Sequence, residues 1–222
     1  MLTAAMILPP AAAGLGALCP RIIPLIPARP WPVRPWQVAL ASFLFTLPVV
    51  VAGGVAGYPP FAFASLGILA VMVAIDLFTC EMPLRLQVAA ALLAAPLLIE
   101  LPAPIIETKA AALALLLVVC GTAMLYSARR FGSTGLGPGD LIMLPTLAVV
   151  TPSPDTVIFM LSVVVIYSFW TLIFYIIRYK RIYTKKTEIV PPEIVLPMAV
   201  LPAGPGFFIG SQISVLIAAI VL

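Results

Sequence analysis

Long apolar runs, separated by short segments rich in proline, glycine or charge, set the pattern of this sequence. The runs lie at residues 1–19, 38–55, 61–75, 86–101, 110–126, 141–150, 157–177 and 196–222. A membrane-spanning helix needs about 20 predominantly apolar residues, and most of these runs approach that length. The pattern therefore predicts an all-α polytopic membrane protein with about eight transmembrane helices. The sixth run is short, so either its helix begins in the preceding glycine-rich segment or the membrane is thinner there.

The composition agrees with a membrane protein. Of the 222 residues, 63% are hydrophobic and only 9% are charged, and the mean hydropathy is +1.21. This is more apolar surface than a soluble core could bury. The 24 prolines lie largely at the ends of apolar runs, where they cap or kink helices, so some helices should be short or broken. The first run has no basic residue before Arg21, unlike a secretory signal peptide, and we interpret it as a retained span.

The basic residues support this topology. If eight spans are drawn with both termini outside, eleven of the twelve basic residues fall on the cytoplasmic side, as the positive-inside rule requires, and Lys109 falls outside. The net charge of +4 is thereby explained without nucleic-acid binding. On this drawing, Asp76 and Asp140 both emerge at the cytoplasmic ends of their helices. The eleven cytoplasmic residues are Arg21, Arg29, Arg34, Arg85, Arg129, Arg130, Arg178, Lys180, Arg181, Lys185 and Lys186.

Two aspartates are candidates for a functional site because each lies at the end of an apolar run. Asp76 follows the third run, and Asp140 closes the turn at residues 137–140 (GPGD) and opens the sixth run. A carboxylate that faces lipid costs about 2.5–3.5 kcal/mol on insertion scales, so such a position indicates a function. The glycines permit unusual backbone angles, and the proline removes a donor, so this turn is able to lie close against another part of the chain.

Several kinds of catalytic site are excluded. There is no histidine, which rules out Ser-His-Asp catalysis, Cys-His catalysis and histidine metal sites. Acid–base chemistry near neutral pH must then come from carboxylates. Cys19, Cys80 and Cys120 are isolated in the sequence and form no C-x-x-C pair, so we expect neither a zinc site nor a disulfide.

Two carboxylates at one membrane face are the minimum requirement for aspartic proteolysis. One ionised carboxylate takes a proton from water while its protonated partner polarises the scissile carbonyl, and repulsion between like charges favours this sharing of one proton. The pair acts as a unit, so we assign no individual roles. The alternative is structural: each aspartate caps a helix or pairs with Arg85, Arg129 or Arg130.

Three segments resemble motifs of the prepilin peptidases. Residues 75–83 (IDLFTCEMP) resemble the first motif, an apolar helix ending in Ile-Asp with a proline seven residues after the aspartate. Residues 137–140 are similar to the second motif, Gly-x-Gly-Asp. Residues 201–210 (LPAGPGFFIG) resemble more loosely the Pro- and Gly-rich start of the family's last helix. The resemblance covers roughly residues 40–222 in order and spacing.

The resemblance implies an aspartic endopeptidase of the bacterial inner membrane, which removes the short basic leader of type IV prepilins or secretion pseudopilins. It implies no cofactor and no metal. The expected partners are a prepilin with a basic leader and an apolar helix, and the lipid bilayer, but not nucleic acid; the oligomeric state is left open. By this resemblance the catalytic pair is Asp76 and Asp140, and the active-site turn is formed by Gly137, Pro138 and Gly139.

The whole chain is expected to form one transmembrane peptidase domain. Residues 1–37 would hold the first span and a short cytoplasmic loop, and residues 38–222 the catalytic helical core. Glu81 is a candidate contact for the basic leader, and its alternative is a solvated loop carboxylate. The loop at 21–36 is too short for the domain that is linked to N-methylation in larger members of the family, so we expect no methyltransferase activity.

Departures from the family's pattern leave alternatives open. Ile142 stands where the family often has lysine, and Leu84 where Asn or Asp often follows the proline. An inactive homologue that serves as a membrane assembly subunit would tolerate both. A proton- or cation-coupled transporter would place acids at mid-depth and show an internal repeat, and the sequence shows neither. A presenilin-type protease shares Gly-x-Gly-Asp, but its Tyr-Asp and Pro-Ala-Leu motifs correspond here to Ile75-Asp76 and to residues 201–204 (LPAG).

Overall fold

The structure is a computed structural model and describes residues 2–22, 34–79, 82–131, 136–151, 156–184 and 202–221. Within these ranges the fold consists of eight α-helices and no strands. The prediction of an all-α fold with eight helices is therefore confirmed. In chain order the helices are α1 (Leu2–Ile22), α2 (Pro35–Ala56), α3 (Pro60–Thr79), α4 (Leu84–Glu100), α5 (Ala103–Phe131), α6 (Pro138–Val150), α7 (Thr156–Thr184) and α8 (Gly204–Val221).

Four helices of the described part are long and apolar enough to cross a membrane. They are α2, α3 and α8 over their whole length, and α5 over Ala103–Tyr126. Shorter apolar stretches occupy parts of α1 and α7 and the whole of α6. Large apolar side chains are also exposed on the outside of the bundle, among them Leu92 at 69%, Val118 at 65% and Ile220 at 84%. Soluble proteins rarely expose so much apolar surface, so this is an α-helical membrane protein.

Several helices extend past the limits predicted from the apolar runs. The sequence predicted loops beginning at Asp76 and Arg178, but α3 continues to Thr79 and α7 to Thr184; α5 begins at Ala103, inside a predicted outer loop. A helix ends at a cap or a breaking residue rather than where polarity changes, so polar residues lengthen these helices. Asp76 consequently lies on the last turn of α3 and not in a loop.

Two helices begin in proline- and glycine-rich segments. α6 begins at Pro138, inside the turn, and at 13 residues it remains shorter than a spanning helix. The last helix was predicted from residue 196, but α8 begins at Gly204 and residues 202–203 are not helical, while residues 196–201 lie outside the described ranges. Proline is tolerated in a first turn because its missing N–H would have no partner within the helix.

α3 is the centre of the bundle. It packs against α1, α2, α4, α6 and α8, and residues 69–75 are completely buried. A helix that is apolar all round is buried all round. The hydroxyl of Ser65 donates to the carbonyl of Ala90 at 2.8 Å and so ties α3 to α4. The last turn of α3, which carries Asp76, is therefore held in the most buried part of the fold.

Glycines on α8 bring it close to α7. A Cβ at Gly206 or Gly210 would lie only 3.0 Å or 2.8 Å from a Cα atom of α7. Small residues four positions apart permit this kind of close helix packing in membranes. Just before α8, the carbonyl of Pro202 accepts a hydrogen bond from the indole N–H of Trp170 on α7 at 2.8 Å. These contacts fix the first turn of α8, where Gly204 lies.

Lys109 closes the far end of the short helix α6. Its ammonium group donates to the carbonyls of Ala148 and Thr151 at 2.8 Å and 2.6 Å. The last carbonyls of a helix have no partner within the helix, and a cation there also interacts favourably with the helix dipole. This cap gives a structural reason for the one basic residue that the positive-inside count left on the other side.

Candidate active site

Asp76, on the last turn of α3, faces the first turn of α8. Its side chain is only 4% exposed, and its Oδ2 accepts a hydrogen bond from the backbone N–H of Gly204 at 3.2 Å. The first N–H groups of a helix have no partner within the helix, so α8 offers a donor at this point. The approach depends on glycine, because a Cβ at Gly204 would lie 3.0 Å from the same carboxylate oxygen.

Asp140, in the first turn of α6, bends back onto the residue before the helix. The N–H of Gly137 donates to its Oδ2 at 2.8 Å, and the N–H of Asp140 donates to the carbonyl of Gly137 at 3.1 Å. Gly137 has an extended backbone, and Pro138 follows as the first helical residue. Oδ2 of Asp140 therefore caps the start of α6, which is the structural role that the sequence left open as an alternative. Oδ1 is also buried, and it has no hydrogen-bond partner in the described part of the chain.

The two carboxylates come together at one end of the bundle. Asp140 is 5% exposed, and its charge acts directly on Asp76. The N–H of Gly204, which bonds to Asp76, also interacts favourably with the charge of the Asp140 carboxylate. Two adjacent carboxylates in a water-poor site repel each other unless they share a proton. We call Asp76 and Asp140 the aspartate pair.

Arginines do not account for this arrangement in the part of the chain that the structure describes. Arg85 and Arg129 are exposed, whereas both aspartates are buried. The side chain of Arg130 lies outside the description. The salt-bridge alternative therefore finds no support in the described side chains.

Met82 and Gln87 line the site between the starts of α6 and α8. A Cβ at Gly204 would collide with the Met82 methyl group, and a Cβ at Gly139 would lie 3.0 Å from the Met82 Cβ. The Gln87 amide donates to the carbonyl of Gly139 at 2.8 Å and lies 3.6 Å from the Met82 sulfur. Neither residue was predicted from the sequence as part of the site. The signal for Gln87 was a polar amide within an otherwise apolar run.

Residues on two further helices, α5 and α7, interact with Asp140. Its carboxylate interacts electrostatically with the thiol of Cys120 on α5 and with Tyr167 on α7. The ring of Tyr167 stacks on Phe207 of α8, with the ring centroids 4.7 Å apart. The site is thus assembled from helices that are distant in sequence and cannot be a local feature of one turn.

The structure brings the predicted site residues together with one exception. Glu81 lies outside the described residues. The two positions that depart from the family's pattern, Ile142 and Leu84, are 51% and 62% exposed, so they do not line the buried pair. The residues that converge are Asp76, Asp140, Gly137, Pro138 and Gly139.

Within the described ranges, no three side chains of His, Cys, Asp or Glu lie together in a way that could hold a metal ion. Comparisons of the chain with protein-family models, with curated proteins and with solved structures find no match. Fold and site define an all-helical membrane protein with two buried, electrostatically interacting aspartates where the end of α3 meets the starts of α6 and α8. The chemistry of that pair is the basis for a function.

Proposed function

We propose that this protein is a membrane aspartic endopeptidase of the prepilin-peptidase type. The observation that carries the proposal is the burial of Asp76 and Asp140 near each other, with one oxygen of Asp140 lacking a hydrogen-bond partner among the described residues. Each carboxylate accepts an N–H at the start of a different helix, but burying two carboxylates near each other costs stability. Strongly interacting buried carboxylates are typical of acid–base sites, and proteolysis uses both members of such a pair.

In the proposed reaction, a water molecule held by the aspartate pair attacks the scissile carbonyl carbon. The ionised carboxylate takes a proton from the water as the C–O bond forms, and the protonated carboxyl donates a hydrogen bond to the carbonyl oxygen. A proton then passes to the amide nitrogen and the C–N bond breaks. The products are a leader with a new carboxylate and a mature chain with a new amine. Oδ1 of Asp140 is available to accept a hydrogen bond from the water.

The proposed substrate is a type IV prepilin or pseudopilin, with a basic leader followed by an apolar helix. We place the site at the cytoplasmic face of the bacterial inner membrane, with both termini outside, because eleven of the twelve basic residues collect on one side of the eight-span topology. The bond between a solvated leader and a membrane-embedded helix lies at that interface. We expect Ile142 and Leu84 to be compatible with activity and expect no N-methyltransferase activity.

Co-expression with a panel of prepilins and pseudopilins in bacterial membranes tests this function. Leader removal is followed by mass spectrometry of the prepilin N-terminus for the wild type, Asp76→Asn and Asp140→Asn. Glu107→Gln is the matched control, because it neutralises an exposed carboxylate on α5. We expect cleavage by the wild type and by the control, and none by either aspartate variant at equal membrane level.

Three other outcomes would contradict the proposal. Cleavage by both aspartate variants would show that the chemistry lies elsewhere. Failure of the wild type on every substrate, together with proton or cation flux that depends on the two aspartates, would favour a transporter; failure together with a pilus-assembly function that survives both substitutions would favour an inactive assembly subunit.

A further inference from the structure

Gln87 is a buried amide in the first turn of α4. Its side chain is polar but only 4% exposed, and the other residues from 86 to 99 are apolar. Its Nε2 donates to the carbonyl of Gly139, a residue 52 positions away in sequence, at 2.8 Å. Burying an amide without a partner costs about 1–3 kcal/mol, so a buried glutamine usually has a defined task. The task here involves the turn before Asp140.

The acceptor of this hydrogen bond, the carbonyl of Gly139, links Gln87 to the backbone of Asp140. The carbonyl of Gly139 and the N–H of Asp140 belong to the same peptide unit. The carbonyl is held by Gln87, and the N–H is held by the carbonyl of Gly137 at 3.1 Å. The plane of that peptide is therefore fixed at both ends, and the Cα of Asp140 follows it directly. Without Gln87, this peptide would lose the hydrogen bond that ties it to α4, and Asp140 would be held less precisely.

The turn is also shaped to receive Gln87. A Cβ at Gly139 would lie 3.3 Å from the Gln87 Nε2, so a larger residue would push the amide away from the carbonyl. Glycine at this position thus serves the contact with α4 as well as the turn. Among the described side chains, Gln87 thus provides a hydrogen bond that joins α4 to the active-site turn.

We propose that Gln87 is a positioning residue that sets the carboxyl of Asp140 relative to Asp76. It acts through the Gly139–Asp140 peptide and touches neither carboxylate. The kinetic test of this positioning role, described below, rests on the proposed peptidase function. Proton sharing and water activation require close alignment of the aspartate pair, and a misplacement of about 1 Å can cost roughly 100-fold in rate. We expect loss of the Gln87 donor to lower kcat about 10- to 100-fold with KM little changed, because the Gln87 side chain is buried and its amide is bonded to the Gly139 carbonyl.

Three variants separate positioning from general packing. Gln87→Met keeps the length of the side chain and removes the donor. Gln87→Glu removes the donor when ionised and restores an O–H donor when protonated. Gln212→Met is the matched control, because Gln212 is also a fully buried amide, and it bonds to Tyr58 at 3.0 Å rather than to the active-site turn.

We expect Gln87→Met to lose kcat at every pH, and Gln87→Glu to recover relative to the wild type as the pH falls, until it cleaves several-fold faster than Gln87→Met. We expect Gln212→Met to retain wild-type kcat per folded molecule. The proposal would be overturned by wild-type kcat in Gln87→Met, by equal losses in both Gln87 variants at acid pH, or by the same loss in Gln212→Met.

A second measurement does not depend on activity. In a variant whose native cysteines are replaced by serine, Asp76→Cys and Asp140→Cys are cross-linked by a short bifunctional thiol reagent. We expect Gln87→Met to slow this cross-linking several-fold, and Gln212→Met to leave it unchanged. An unchanged rate in Gln87→Met refutes the positioning role. If cross-linking slows but the wild type cleaves no prepilin, the positioning role stands and the peptidase function fails.

Discussion

The account predicts that Gly204→Ala lowers catalysis without unfolding the protein. An alanine Cβ at this position would lie 3.0 Å from the Oδ2 of Asp76, whereas ordinary contacts begin at 3.4 Å, so the carboxylate must move by about 0.4 Å. If a 1 Å misplacement costs roughly 100-fold, this displacement predicts a loss of about 5- to 10-fold in kcat. The Cβ would also collide with Met82, but only with the methyl group at the end of a flexible side chain. That group can rotate away, so the stability loss should stay below about 1 kcal/mol.

Gly210→Ala is the matched control on the same helix. Its Cβ would lie 2.8 Å from the Cα of Val163, and backbone cannot rotate away as a side chain can. Overpacking of this kind costs about 1–3 kcal/mol, which is reduced by about 1 kcal/mol because alanine favours helix more than glycine. Gly210 is six residues from Gly204, or about 9 Å along the helix. We therefore expect Gly210→Ala to lose stability and to keep its kcat.

The assay combines prepilin cleavage with thermal unfolding of the purified proteins in detergent. The expected result is opposite for the two variants: Gly204→Ala loses kcat with a Tm near that of the wild type, and Gly210→Ala, at a net cost of about 1 kcal/mol, loses roughly 2–4 °C in Tm with a wild-type kcat per folded molecule. Wild-type kcat in Gly204→Ala would show that contact between α8 and Asp76 has no catalytic importance. Parallel losses in both variants would show that only packing had been disturbed.

Three other substitutions test contacts around the site. Lys109→Met should lower the free energy of unfolding by about 3 kcal/mol, because two carbonyls at the end of α6 lose a charged donor; urea or thermal unfolding measures this, and unchanged stability would contradict the cap. Trp170→Phe removes the donor to Pro202 and should lower kcat several-fold, because the start of α8 is then less firmly held; equal kcat in the two proteins would argue against it. Tyr58→Phe should cost about 1–3 kcal/mol in stability by leaving the buried Oε1 of Gln212 without its donor, and should leave cleavage intact.

Most of the fold was predictable because the membrane imposes a simple rule. Each spanning helix needs a long apolar run, and each of the eight runs corresponds to a helix in the described residues, four of them long and apolar enough to cross a membrane. The ends were less predictable. Polarity marks where an apolar run stops, but the helix continues until its backbone is capped or broken, which is why α3 includes Asp76.

The candidate site was predictable only in part. Asp76 and Asp140 could be found from sequence because a carboxylate at the end of an apolar run is unusual. Gly204 lay within a segment already noted, but its part in the site depends on how closely α8 approaches α3. Gln87 and Met82 could not be assigned, since their roles follow from contacts with turns far away in the sequence.

The most direct test of the central claim is a quantitative comparison of prepilin cleavage by the purified wild type, Asp76→Asn, Asp140→Asn and the double variant. Residues that share one proton act as a unit, so each single substitution should cost about 1000-fold or more in kcat, and the double variant should be no worse than either. All four proteins should unfold at similar temperatures. The account is contradicted if either single variant keeps more than about a tenth of wild-type kcat, or if the two losses multiply in the double variant as they would for independent residues.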